Sequence, residues 1–92
     1  MALLPANKAL ISTGMKEFNA LLNQQVFSEP PISEEDMLTV VNDWVKFYID
    51  YYRQQMMGEQ QEQDRALEEL QKELNTLAIP FLDKYKAFLR SL

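Results

Sequence analysis

The sequence predicts an all-α protein: a small antiparallel bundle of three helices, with the third kinked at Pro80 or divided there into two short ones. Three observations predict it. Period-2 alternation is absent, only two glycines occur, and apolar residues recur at three- and four-residue spacing through most of the chain. The 92 residues allow one domain, 1–92. A chain this short hides only about 60–65% of the surface its unfolded form exposes, so a thin core and an association partner are expected.

The first helix is predicted over residues 5–26. Pro5 suits a first helical turn, where its missing N–H costs nothing. Leu4, Ile11, Met15, Phe18, Leu22 and Val26 form one stripe, with Leu10 and Leu21 beside it. Gly14 interrupts this helix at a cost of about 1 kcal/mol relative to alanine, which points to close packing against a neighbour. Residues 27–32 read as a linker, because Pro30-Pro31 forbids helix there.

The second helix has the clearest local start. Ser33 precedes Glu34-Glu35-Asp36 in an S-x-x-D pattern, and Ile32 and Met37 stand where a hydrophobic staple would place them. The three carboxylates suit the positive end of the helix dipole. The helix is predicted to run to about Met57 with an apolar arc about 200° wide, against somewhat over 100° for packing on one neighbour. The middle of the arc holds Met37, Val41, Trp44, Tyr48 and Tyr52. One flank holds Val40, Phe47 and Tyr51, the other Leu38, Val45, Ile49 and Met56. That width predicts a central element touching two or more helices. Gly58 is read as a tight turn, with a place inside one long helix as the alternative.

The third helix is predicted over 59–91. Leu67, Leu70, Leu74, Leu77, Phe81, Tyr85, Phe88 and Leu92 keep one phase across Pro80. Kept phase favours one kinked helix; a fourth helix opening at Pro80 is the alternative.

Composition excludes much chemistry. With neither cysteine nor histidine, thiol nucleophiles, zinc thiolates, disulfides and imidazole acid–base catalysis are absent. Asp43 and Asp50 lie two turns apart on one face, but a di-iron bundle would need Glu-x-x-His pairs. The run Glu59, Glu62, Asp64, Glu68, Glu69, Glu73 lacks EF-hand spacing. Both sets read as solvated helix surface, and no cofactor is expected. A net charge of −5 argues against nucleic acid. No 18-residue apolar window predicts a transmembrane span, and MALLPANKAL lacks the basic start of a secretory signal. Cytoplasmic residence is expected.

What remains is a non-enzymatic protein-interaction module: an adaptor, a small regulatory subunit or an inhibitor. It is expected to self-associate as a homodimer and to bind a protein partner. The candidate partner-binding residues are Val40, Trp44, Phe47 and Tyr51, with Met56 and Met57 at the predicted hairpin tip. Large aromatics with polar tips anchor interfaces, and adjacent methionines make adaptable contacts. The alternative is a membrane-surface or immunity-type bundle acting through FLDKYKAFLRSL, an amphipathic segment of net charge +2. In size and architecture alone the chain resembles small bacteriocin immunity proteins. It departs from secreted helical hairpins carrying Trp-x-Gly in a turn, since Trp44 is followed by Val45-Lys46 inside a helix.

Overall fold

A computed structural model describes residues 2–92. Among them there is no strand, and three helices form the fold: α1 (Pro5–Asn23), α2 (Glu34–Arg53) and α3 (Gln60–Arg90). Phe18 of α1 meets Tyr48 of α2, and Glu34 at the start of α2 pairs with Lys86 near the end of α3 at 3.5 Å. The bundle is therefore up-down-up, and the 31 residues of α3 span most of its 49 Å length.

Phe27 decides where α1 ends. Continued helix would carry Phe27 about 180° away from Phe18, into solvent. Instead α1 stops at Asn23, three residues earlier than the stripe predicts, and the Gln25 side chain donates to the Leu21 carbonyl at 3.0 Å. Phe27 then turns inward and packs edge-on against Phe81 and Tyr85, with centroids 5.6 and 4.9 Å away. Val26, expected on the buried stripe, is left 89% exposed. The linker contains a cis Glu29–Pro30 bond, and Tyr85 Oη donates to the Ile32 carbonyl at 2.7 Å.

Ser33 caps α2 as its sequence predicts, its Oγ accepting from the Asp36 N–H at 3.0 Å. The helix stops at Arg53, short of the expected end at Met57. The reason is Asn7, on the first turn of α1 and fully buried. Its Oδ1 accepts from the Met57 N–H at 2.8 Å and its Nδ2 donates to the Met57 carbonyl at 2.9 Å. The buried Asn7 amide would cost about 1–3 kcal/mol without partners, so this pairing fixes the turn. Gly58 follows with φ +93°, the left-handed turn conformation.

α3 runs unbroken through Pro80, so the reading as one continuous helix holds and the separate fourth helix does not. α3 is also the hub. It packs closely along both other helices, which approach each other less closely. This corrects the expectation that α2 would be central. Leu70 and Leu74 are fully buried on α3, with Ala66 and Ala78 giving room on either side. Gly14 sits where the three helices converge. A Cβ there would lie 3.1 Å from Leu70 Cδ1 and 3.2 Å from Tyr52 Cε2, which is the close approach its sequence position implies.

Candidate partner-binding face

With α3 as hub, only part of the α2 arc finds a place in the core. Val41, Val45, Ile49 and Tyr52 are buried; Met37, Trp44 and Tyr48 are half-buried. The flank of Val40, Phe47 and Tyr51 remains outside. These three recur at intervals of seven and four, so they fall within about 40° of one another on an ideal helix. Phe47 is 67% exposed and Tyr51 54% exposed, while Val40 is half-buried at the end of the line. Asp43 and Asp50, both exposed, border the line on its outer side.

The exposed rings rest on more enclosed ones. Phe47 stands edge-on to Tyr48 with centroids 6.0 Å apart, and Tyr51 edge-on to Tyr52 at 5.1 Å. Tyr48 continues edge-on to Phe18 of α1 at 5.4 Å. Tyr52 is 2% exposed and its hydroxyl donates to Glu17 Oε1, also on α1. The stripe thus lies along the side of α2 that borders α1. The opposite groove, between α2 and α3, is lined by polar groups including Asn42, Lys46, Asp50 and Arg53 with Gln71 and Asn75.

The remaining candidates divide. Trp44 leans inward, its ring 6.1 Å from that of Phe81, and forms the inner edge of the stripe. Met57 is exposed at the α2–α3 turn. Met56, next to the Asn7-clamped Met57, lies in the core at 6% exposure and so leaves the surface set. Asn7 and Glu17 were not legible as tertiary contacts, since each looks like an ordinary polar residue of an amphipathic helix.

The charged C-terminal segment is largely committed to the bundle. Phe81 and Tyr85 are buried, Phe88 and Leu89 are half-buried, and Lys86 pairs with Glu34. No described helix is long and apolar enough to cross a membrane. Among the described residues no cluster of carboxylates could hold a metal ion.

Burial and the Glu17 carboxylate push both tyrosines on the inner side upward in pKa. For Tyr52 burial is the larger cause, followed by its hydrogen bond to Glu17; for Tyr48 it is burial, then the charge of Glu17. Their folded values lie above the ordinary 10.0, so the native state keeps protons that unfolded phenols release. Stability from this source is complete below pH ~10 and is lost as pH rises beyond it. Thermal melts from roughly pH 9 to 11.5 are expected to show a falling Tm, and Tyr52→Phe to flatten the fall. An identical slope in wild type and variant would show that Tyr52 does not hold its proton in the fold.

Comparison with known proteins gives a consistent result. The family model described as alpha-haemoglobin stabilising protein matches residues 5–91. The chain is 69% identical over 91 residues to the alpha-hemoglobin-stabilizing protein of Homo sapiens, covering 99% of this chain and 89% of the relative. It is 68% identical to that of Bos taurus, covering 99% of both, and 60% identical to that of Mus musculus, covering 99% and 89%.

Proposed function

The chain belongs to the alpha-haemoglobin stabilising protein family, a family of binding proteins rather than enzymes, and on that premise we propose that it binds α-globin through the α2 stripe of Val40, Phe47 and Tyr51. The observation that carries this reading is the pair of large aromatics held outside the core, Phe47 at 67% and Tyr51 at 54% exposure. Such rings are expensive to leave in water and well suited to filling pockets on a partner. Trp44 and Met57 extend the contact at its edges.

The stabilising action follows from mass action. A protein that binds a folded chain and not its unfolded form stabilises the fold by RT ln(1 + [L]/Kd), about 2.7 kcal/mol at a hundredfold excess over Kd. It also covers apolar surface that would otherwise drive the client into aggregates. No group on this chain needs to react for either effect.

Self-association through the same stripe would compete with this role, since one face cannot be covered by two partners at once. We therefore assign the stripe to α-globin and propose a one-to-one complex. Cytoplasmic residence belongs to the same proposal, as the compartment in which that partner would be met. Light scattering after size-exclusion chromatography is the test. The chain mixed with purified α-globin is expected to run as one complex with the mass of one chain of each. A stable homodimer that persists at α-globin excess would overturn the reading.

A further inference from the structure

The docking stripe is on α2, but the atoms that hold its rings in place are on α1. Each exposed aromatic leans on a tyrosine of the inner row, and each of those tyrosines is fastened from the other side. Tyr48 is fastened by the edge of Phe18, an ordinary core contact. Tyr52 is fastened differently. Its hydroxyl donates to the carboxylate of Glu17, an exposed residue on the rim of α1. Gly14 lies against the same ring, where a Cβ would come within 3.2 Å of Cε2, so the backbone of α1 itself bounds the ring. Tyr51 then stands perpendicular to Tyr52, with an interplanar angle of 90°.

We propose that Glu17 is a positioning residue for partner recognition: by holding the Tyr52 hydroxyl it fixes the ring on which Tyr51 rests, so that the stripe is set in its binding geometry before the partner arrives. This inference rests on the reading of the α2 stripe as the docking face. Its physical basis is preorganisation. An exposed tyrosine that must be immobilised on binding loses rotamer freedom then, and a ring already braced loses less. Helix formation does not account for a carboxylate at this position. Glu17 lies in the middle of α1, away from the positive end of its dipole, and takes no part in capping it. Tyr52 likewise needs its oxygen for this purpose, because phenylalanine would fill the same core volume.

The test uses the full chain titrated with α-globin by calorimetry, with aromatic NMR of the free protein alongside. Glu17→Gln keeps an oxygen that can accept from the phenol and is expected to bind within about twofold of wild type. Glu17→Ala and Tyr52→Phe are each expected to weaken binding by about three- to tenfold. Both are expected to broaden or shift the Tyr51 ring signals before any partner is added, and the double variant to be no weaker than the worse single one. Both singles remove atoms from an exposed or hydroxyl-only position, so the helical circular dichroism should persist.

Three results would each overturn the proposal. One is wild-type affinity in both Glu17→Ala and Tyr52→Phe. Another is a loss in Glu17→Gln equal to that in Glu17→Ala, which would mark Glu17 as a direct charge contact with the partner. The third is unchanged Tyr51 signals in the free variants. Phe47→Asp in the same titration separates this from the docking reading. If Phe47→Asp binds normally, the α2 face is wrong; if it fails to bind while the Glu17 and Tyr52 variants do not weaken, only the positioning role is wrong.

Discussion

Phe47→Asp combined with Tyr51→Asp is expected to weaken α-globin binding at least a hundredfold while leaving the helical circular dichroism and Tm close to wild type. The two halves of that result have separate causes. Central aromatic anchors typically cost 2 kcal/mol or more when truncated, and a charge placed in a desolvated contact costs further, so about 3 kcal/mol for the pair is a low figure. At about 1.4 kcal/mol per factor of ten that exceeds a hundredfold. The folded chain loses little, because both rings are mostly in solvent and their neighbours Tyr48 and Tyr52 keep their own attachments to α1. Substitutions at such exposed positions usually fall within about 0.5 kcal/mol. Two added aspartates beside Asp43 and Asp50 raise local like-charge repulsion, which salt screens. Unfolding of the double variant would show that this flank is core. Normal folding with normal binding would place the interface elsewhere.

Leu70→Ala should do the opposite, lowering stability strongly without touching the docking face. Leu70 is fully buried on the hub helix and its Cδ1 lies against Gly14, at the point where α1, α2 and α3 converge. Removing a buried leucine to alanine costs about 2–5 kcal/mol, the larger values where the walls cannot collapse into the space. Here they cannot collapse easily, because Gly14 offers no side chain to move in and Tyr52 is tied by its hydroxyl to Glu17. For a domain of this size each kcal/mol shifts Tm by about 4–8 °C, so a fall of roughly 8–40 °C is expected. A melt monitored by circular dichroism measures it. If α-globin binds the folded form alone, as proposed, an excess of it should recover part of the loss. A change of less than about 1 kcal/mol would mean that the three helices do not close on Leu70.

The helices were legible in the sequence, and their number was narrowed to three, with a fourth opening at Pro80 as the alternative. Ser33 announced the start of α2 through a cap that needs only residues three positions away. Gly58 was favoured as a turn over a place inside one long helix because a short chain must fold back to bury its stripes, and its φ of +93° bears the turn out. The unbroken phase of Leu67 to Leu92 carried α3 correctly through Pro80. The excess width of the α2 arc pointed to Phe47 and Tyr51 as surface residues, and both are exposed. The assignment of α2 as the central element failed because arc width counts apolar residues without saying which of them a neighbour will cover. α3 is longer and has alanines along its buried seam, so both other helices lie on it and the far flank of α2 stays open. The proposed partner was not legible at all. An apolar stripe has no name written in it, and α-globin enters only through the relatives.

By itself, then, the sequence determined everything that depends on neighbours within about a turn: where helices start, which face is apolar, where the chain must bend. Tertiary structure decided which of two adjacent apolar residues turns inward, as with Val26 and Phe27 or Met57 and Met56. It also decided the polar ties, Asn7 to Met57 across 50 positions and Glu17 to Tyr52 across 35. The reason is one of range. Helical periodicity and capping are local energies that a short window contains, whereas a buried side chain takes its place from atoms that folding alone brings within reach.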